Sequence, residues 1–139
     1  IIDDFSVRIT GGAATPAASH LCVVDKDCQQ LSKELAAHFH TTVAQLLFLC
    51  KRARPDILVA VTFLTTRVKA PCDDDCKKLV RVLKYMKATK DLVLTLRADS
   101  LTTMKWWVDG AFAVHSDFKS HTGGVMMLGE GTIYCASTK

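Results

Sequence analysis

Five basic residues lie within eleven consecutive positions and could together bind a chain of phosphate groups. Lys77, Arg81 and Lys84 follow one another at i, i+4 and i+7, a spacing that places side chains on one face of a helix. A row of cations on a helix can lie along the backbone of a nucleic acid and neutralise its charge. The complete set is Lys77, Lys78, Arg81, Lys84 and Lys87.

The positive charge of the chain is concentrated around these residues. Residues 51–90 carry eleven Lys and Arg against four Asp and Glu, a net charge of +7, whereas the whole chain has a net charge of +4. The segments on either side are slightly acidic. This distribution is typical of a surface that binds nucleic acid. The charge alone leaves a second interpretation equally open, in which the lysines and arginines only keep two helices solvated.

One carboxylate stands out from its neighbours in the sequence. Asp109 lies in an aromatic stretch, after Trp106, Trp107 and Val108 and before Phe112. An unpaired charge among apolar side chains costs free energy, so a carboxylate at such a position is a candidate for a functional group. Asp109 is therefore the leading candidate for a functional residue.

Two other groups could take part in chemistry, but each has a simpler explanation. Cys72 and Cys76 are four residues apart at an acid-rich helix start and could hold a soft metal. Zinc usually needs four ligands, and no other Cys or His lies close to them in the sequence, so two ordinary thiols are favoured. His115 and His121 flank a turn, where histidines are commonly just solvated.

Three helices are predicted in the first two thirds of the chain. Apolar residues recur at helical spacing from residue 29 to about 51, and Arg54-Pro55-Asp56 then fits the start of a second helix that runs to about residue 69. Pro71 ends this helix, and three consecutive aspartates open a third one near residue 73. The third helix carries the basic row.

After residue 89 the pattern becomes that of β-strands. Residues 91–97, 104–114, 121–128 and 132–136 read as strands, and the last two form a hairpin around Gly129-Glu130-Gly131. Helices followed by an antiparallel sheet predict an α+β fold.

Composition places the chain among ordinary globular proteins. Hydrophobic residues make up 49% and charged residues 23% of its 139 positions, which excludes a disordered segment. No apolar stretch approaches the roughly 20 residues of a membrane span. The acidic N-terminus does not read as a secretory signal, so we expect the six cysteines to be reduced thiols in the cytoplasm or nucleus.

Three motifs together resemble a known family. Residues 39–57, which end in Arg54-Pro55-Asp56-Ile57, resemble a segment late in the reverse transcriptases of copia-type LTR retrotransposons. Residues 77–92 resemble the Lys- and Arg-rich helix that follows in that family, and residues 107–129 resemble the opening of its ribonuclease H domain. The order and spacing also match, most closely the elements of diatom-like algae.

The resemblance implies three parts of a polyprotein fragment. Residues 1–28 would be the trailing palm segment and a linker, residues 29–90 a helical thumb-like subdomain, and residues 91–139 the first strands of a truncated ribonuclease H-like domain. The fold implied is α+β, with a three-helix thumb-like subdomain followed by an incomplete ribonuclease H-like antiparallel sheet. The basic row would then contact the backbone of a template–primer or RNA–DNA hybrid.

The resemblance also gives Asp109 a role. The first-strand aspartate of ribonuclease H binds Mg²⁺ together with a glutamate and two later acids, and these partners would lie beyond Lys139. We therefore expect the parent family to be an RNA-directed DNA polymerase and ribonuclease H that uses Mg²⁺. We expect this chain alone to be inactive and to bind no cofactor tightly. The expected partners are a hybrid or DNA duplex and the rest of the polyprotein, in the virus-like particle of the parent family. The alternative is a non-catalytic retroelement-derived subunit of a larger assembly.

Overall fold

The described structure, a computed structural model, comprises residues 1–99 and 102–139 and has the α+β class that the sequence predicts. Its helices precede its strands, and a 3₁₀ turn at Pro55–Ile57 leads into the second helix. The elements are α1 (Lys33–Arg52), α2 (Leu58–Thr65), α3 (Asp73–Ala88), β1 (Lys105–Ala111), β2 (His121–Met127) and β3 (Thr132–Thr138). No helix among these residues has the length and apolar character needed to cross a membrane.

Local signals fix where the helices begin and end. The hydroxyl of Ser32 accepts a hydrogen bond from the backbone N–H of Leu35 and so caps α1. At the start of α3, the backbone N–H of Cys72 donates to the Asp75 carboxylate at 3.0 Å. Acids in the first turn of α3 also interact favourably with the helix dipole. α2 ends at Thr65, earlier than the sequence pattern indicates, and residues 66–69 form turns.

The apolar core lies among the three helices. α2 is buried over most of its length, because Ala60, Val61, Phe63 and Leu64 are all enclosed. α1 contributes Phe39, Val43, Leu46 and Cys50, and α3 contributes Leu79, Val82, Leu83 and Met86. The N-terminal segment packs on the same core through Phe5 and Ile9, so it belongs to the helical part of the structure.

Arg54 joins the start of α2 to the end of α3. Its buried guanidinium donates to the Asp56 carboxylate at 2.8 Å, to the Thr89 hydroxyl at 2.7 Å and to the Thr89 carbonyl at 3.2 Å. It also lies 5.6 Å from the centre of the Tyr85 ring. Burial alone would raise the pKa of Asp56, but hydrogen bonds from Arg54 and Tyr85 overcome it and lower that pKa below its ordinary value.

We expect Arg54→Ala to lower the free energy of unfolding by about 3 kcal/mol, since it leaves Asp56 and the Thr89 carbonyl without their partner. Urea denaturation at neutral pH measures this loss. Arg52→Ala is the matched control, because Arg52 is exposed and lies over the Phe48 ring. Equal losses in the two variants would show that Arg54 does not join the helices.

The three strands form one antiparallel sheet in the order β1-β2-β3. Trp107, Val125 and Cys135 follow one another across it, as do Asp109, Gly123 and Ser137. The expected strand at residues 91–97 is wrong: that segment forms only an isolated bridge between Arg97 and Glu130. It crosses the β2–β3 turn instead of running beside a strand, and a Cβ added to Gly131 would lie 1.8 Å from the carbonyl oxygen of Thr95.

β1 is an edge strand with apolar side chains exposed on both faces. Trp106, Trp107 and Val108 keep 54%, 53% and 72% of their surface exposed. Helix α2 contacts β3, but its eight residues span only about 12 Å and leave β1 largely uncovered. Exposed apolar edges of this kind promote association between molecules.

We therefore expect the isolated chain to self-associate at micromolar concentration. In sedimentation velocity, the average mass of the sedimenting species should rise with protein concentration. Val108→Lys should shift the chain toward monomer, because a charged side chain on an edge strand opposes pairing. Val23→Lys changes another exposed valine, which lies on the linker and not on a strand, and should leave association unchanged. A monomer at all concentrations, or an equal effect of both substitutions, would contradict this expectation.

Candidate nucleic-acid interface

Three of the five basic residues lie on one wall of a cleft. The cleft has a volume of about 780 Å³ and runs between the N-terminal segment and the outer face of α3. Lys77, Arg81 and Lys84 line it, together with Val7 and Ala14 from the N-terminal segment. We call this feature the basic cleft. It exists because the N-terminal segment packs beside α3 instead of leaving that helix face open to solvent.

Arg81 occupies the middle of this row. Its terminal nitrogen donates to the hydroxyl of Thr15 at 2.9 Å, which ties the linker to α3. Its Nε is buried and finds no acceptor among residues 1–99 and 102–139. A buried donor without an acceptor costs free energy. Neither Lys77 nor Lys84 forms an ion pair within the same ranges.

The structure separates Lys78 from this row. Its buried ammonium donates to the carbonyl of Val23, pairs with Asp74 at 2.8 Å and lies 4.9 Å from the centre of the Phe63 ring. Helical geometry explains the difference, because the position directly after Lys77 points about 100° away from it, toward the core. The ammonium of Lys78 is therefore engaged in holding the linker.

Lys87 lies at the far end of α3 and is partly engaged as well. Its ammonium donates to the carbonyl of Ile9 at 2.9 Å and so fixes the N-terminal segment on the helix. Lys87 thus helps to hold the N-terminal wall of the cleft, and three of the five cations line it. Asp73 is the single acid among the residues that line the basic cleft, so positive charges outnumber negative ones in its lining.

Asp109 is exposed, which differs from the expectation that apolar neighbours would bury it. β1 is uncovered on both faces, so the aromatic residues beside Asp109 do not enclose it. One carboxylate oxygen accepts the backbone N–H of Gly110 at 2.9 Å. Asp109 borders a second cleft of about 580 Å³, between the start of α2 and the sheet, which Trp107 and Ser137 also line.

Asp109 does not come together with other metal-binding groups in the described structure. Across residues 1–99 and 102–139, no cluster of three or more His, Cys, Asp or Glu side chains could hold a metal ion. A site for Mg²⁺ needs several oxygen ligands, and these residues supply one carboxylate near the sheet cleft. The donor set present therefore does not fit the Mg²⁺ that the family resemblance implies.

Two histidines form a chain of polar contacts that the sequence did not reveal. His115 Nε2 lies 3.0 Å from His121 Nδ1, and His121 Nε2 lies 2.6 Å from the Ser137 hydroxyl. His115 is buried and stacks against Phe63 of α2 at 6.5 Å between ring centres. The expectation that these histidines are simply solvated is therefore wrong. The burial of His115 could not be predicted, because a turn residue belongs to no periodic sequence pattern that would indicate a buried face.

The two cysteines proposed as a metal pair have different surroundings. Cys76 lines the basic cleft, whereas Cys72 is buried at the start of α3 beside Cys28 of the linker. Burial, followed by the repulsion of Asp73 and Asp75, raises the pKa of the Cys76 thiol. Cys72 therefore has a thiol neighbour that is distant in sequence.

The sequence is similar to a protein of Saccharomyces cerevisiae (strain S288c) that is named for the transposon Ty5-1. The two are 29% identical over 101 residues, which cover 73% of this chain. The same region is 33% of the yeast protein, so the chain spans a third of the length of that relative. No protein-family model and no solved structure matches the chain. The similarity supports an origin of the chain in a retrotransposon.

Burial of His115 makes the stability of the sheet depend on pH. Desolvation, then the positive charge of Lys139 and the neighbouring His121, lowers the pKa of His115, while Asp117 opposes the shift. A histidine whose pKa is lowered in the folded state binds more protons when unfolded. It therefore stabilises the fold above the unfolded pKa of about 6.5, and this contribution is lost as pH falls toward the folded pKa.

We expect the free energy of unfolding to fall between pH 7.5 and pH 5.5, and to fall less in His115→Gln, which cannot be protonated. Urea denaturation at the two pH values measures both. His38→Gln is the matched control, since His38 is exposed on α1, and it should show the wild-type pH dependence. The same pH dependence in His115→Gln as in wild type would exclude His115 as its source.

Proposed function

We propose that this chain is a fragment of a copia-type retrotransposon polyprotein that binds the backbone of a nucleic-acid duplex through the basic cleft. The observation that carries the proposal is the convergence of Lys77, Arg81 and Lys84 on one cleft. Phosphate oxygens are negatively charged hydrogen-bond acceptors and so suit three cationic side chains. Contacts to phosphates give affinity that is independent of sequence and sensitive to salt.

The similarity to the yeast transposon protein supports the retroelement part of this proposal. We propose the boundaries that the motifs indicate: a palm remnant and linker in residues 1–28, a thumb-like subdomain in 29–90, and a partial ribonuclease H-like sheet in 91–139. The partners proposed are an RNA–DNA hybrid or DNA duplex and the rest of the polyprotein. The proposed location is the cytoplasm or nucleus, within a virus-like particle as in the parent family.

We further propose that this chain alone does not catalyse the cleavage of RNA. In the parent family Mg²⁺ supplies an activated water and stabilises the leaving oxygen. By the family resemblance Asp109 would occupy the position of a metal ligand, but among the described residues no cluster of three or more potential metal-binding side chains forms around it. Asp109 would act only when other parts of a longer protein complete the ligand set.

Lys77→Glu, Arg81→Glu and Lys84→Glu together should abolish binding to an RNA–DNA hybrid. Fluorescence anisotropy with a labelled hybrid measures the affinity, which for the wild type should fall by about tenfold or more between 50 and 200 mM salt. Asp73→Asn should strengthen binding, since it removes the carboxylate that lines the same cleft. With Mg²⁺ added, the bound hybrid should stay intact.

A matched control replaces three exposed lysines away from the cleft, Lys26, Lys51 and Lys119, by Glu. It changes the net charge equally and should retain most of the binding. Equal loss in both triple variants would mean that net charge, and not the cleft, determines affinity. Hybrid cleavage that disappears in Asp109→Asn would contradict the proposed inactivity.

A second candidate function is that of a non-catalytic interaction subunit. The exposed aromatic edge at β1 favours it, because Trp106, Trp107 and Val108 offer an apolar strand to a partner. The two functions separate in the triple Glu variant, which loses nucleic-acid binding but keeps the β1 edge.

A further inference from the structure

Two cysteines that are far apart in sequence meet at the start of α3. The linker runs antiparallel to the segment before the helix: the Leu31 N–H donates to the Pro71 carbonyl, and the Asp73 N–H donates to the Gln29 carbonyl, each at 3.0 Å. A single bridge between Gln30 and Cys72 completes this pairing. The backbone therefore fixes Cys28 beside the first turn of α3.

The sulfur atoms of Cys28 and Cys72 both lie near the backbone N–H of Asp74. The Asp74 N–H donates to Cys28 Sγ at 3.1 Å. Hydrogen bonds from the backbone N–H groups of Asp75 and Asp74 to the Cys72 sulfur lower the pKa of that thiol, but two larger effects raise it. Burial, and then the adjacent Cys28 thiol, raises the pKa of Cys72 to about 11. The two thiols are therefore neighbours at the N-terminus of α3.

The two thiols differ in their access to solvent. Cys28 is partly exposed, whereas Cys72 is 2% exposed. A small oxidant therefore reaches Cys28 first, and Cys72 is positioned as the second thiol. This arrangement of one accessible and one adjacent thiol is the one in which an oxidised cysteine condenses to a disulfide. Because both thiols belong to one chain, this condensation is intramolecular, which greatly raises its rate.

We propose that Cys28 and Cys72 are a dithiol modification site that hydrogen peroxide converts to a disulfide. The Cys28 sulfur attacks one peroxide oxygen, which gives a sulfenic acid and releases one water. The Cys72 sulfur then attacks the sulfenic sulfur and displaces its hydroxyl, which leaves with the second thiol proton as water. In sum, two thiols lose two hydrogens and one peroxide is reduced to two waters.

The disulfide would close a covalent link between the linker and α3. The same two segments are held now by the ammonium of Lys78, which reaches the Val23 carbonyl, and by the backbone pairing described above. The bond needs a sulfur–sulfur distance of about 2.05 Å, so the side chains must rotate toward each other while the paired backbone stays in place. Reduction by a dithiol would reverse it.

Peptide mapping of the whole chain after brief treatment with hydrogen peroxide tests this proposal. Under non-reducing conditions we expect one cross-linked peptide pair that contains residues 28 and 72, loss of two of the six free thiols, and recovery of both with dithiothreitol. Cys28→Ser and Cys72→Ser should each abolish the cross-link. Serine is a favourable residue at a helix start, so Cys72→Ser should still fold.

Cys22→Ser and Cys76→Ser are the matched controls, because these cysteines are also partly exposed and lie on the linker and on α3 respectively. Both variants should keep the cross-link at the wild-type rate. The proposal is overturned if the disulfide maps to Cys72 and Cys76. It is also overturned if the disulfide maps to Cys50 and Cys135, which are neighbours as well. Oxidation of Cys28 to a sulfinic acid without cross-linking would overturn it as well.

Discussion

The burial of Phe63 on α2 is the contact on which the other parts of this molecule depend. One side of its ring meets the ammonium of Lys78, which in turn holds the linker through the Val23 carbonyl. His115, from the connection between β1 and β2, stacks on the same ring. The helices, the linker and the sheet therefore meet at a single aromatic side chain, and a short helix can hold all three because nearly every residue of α2 is apolar.

This arrangement has a consequence for the basic residues of α3. A helix that packs on α2 must turn one face inward, and Lys78 falls on that face, where Asp74 and the Phe63 ring compensate its charge. Lys77, Arg81 and Lys84 remain on the outer face, where the N-terminal segment forms the other wall of the basic cleft. The core thus divides one row of cations into a structural part and a part that can meet a ligand.

The sheet is much more exposed to solvent than the helices are. α2 is long enough to cover β3 but not β1, so the aromatic edge and Asp109 stay in water. The contacts that do anchor the sheet are few: the stacking of His115, the hydrogen-bonded chain to Ser137, and the partly buried Cys135. A sheet that is held at one edge and bare at the other is suited to accept further protein, whether from a longer chain or from a partner.

The sequence by itself determined the three helices, the hairpin and the α+β class, because apolar periodicity, helix caps and turn glycines are local signals. It also identified the three cations that line the basic cleft, Lys77, Arg81 and Lys84, since a helical row is visible as a spacing. The strand predicted at residues 91–97 was wrong, because this segment crosses the β2–β3 turn and does not pair along a neighbouring strand. Only the tertiary structure decided that Lys78 points inward, that Asp109 is exposed, that His115 is buried and that Cys72 meets Cys28. Each of these depends on which surfaces pack together, and packing between segments tens of residues apart leaves no periodic trace in the sequence.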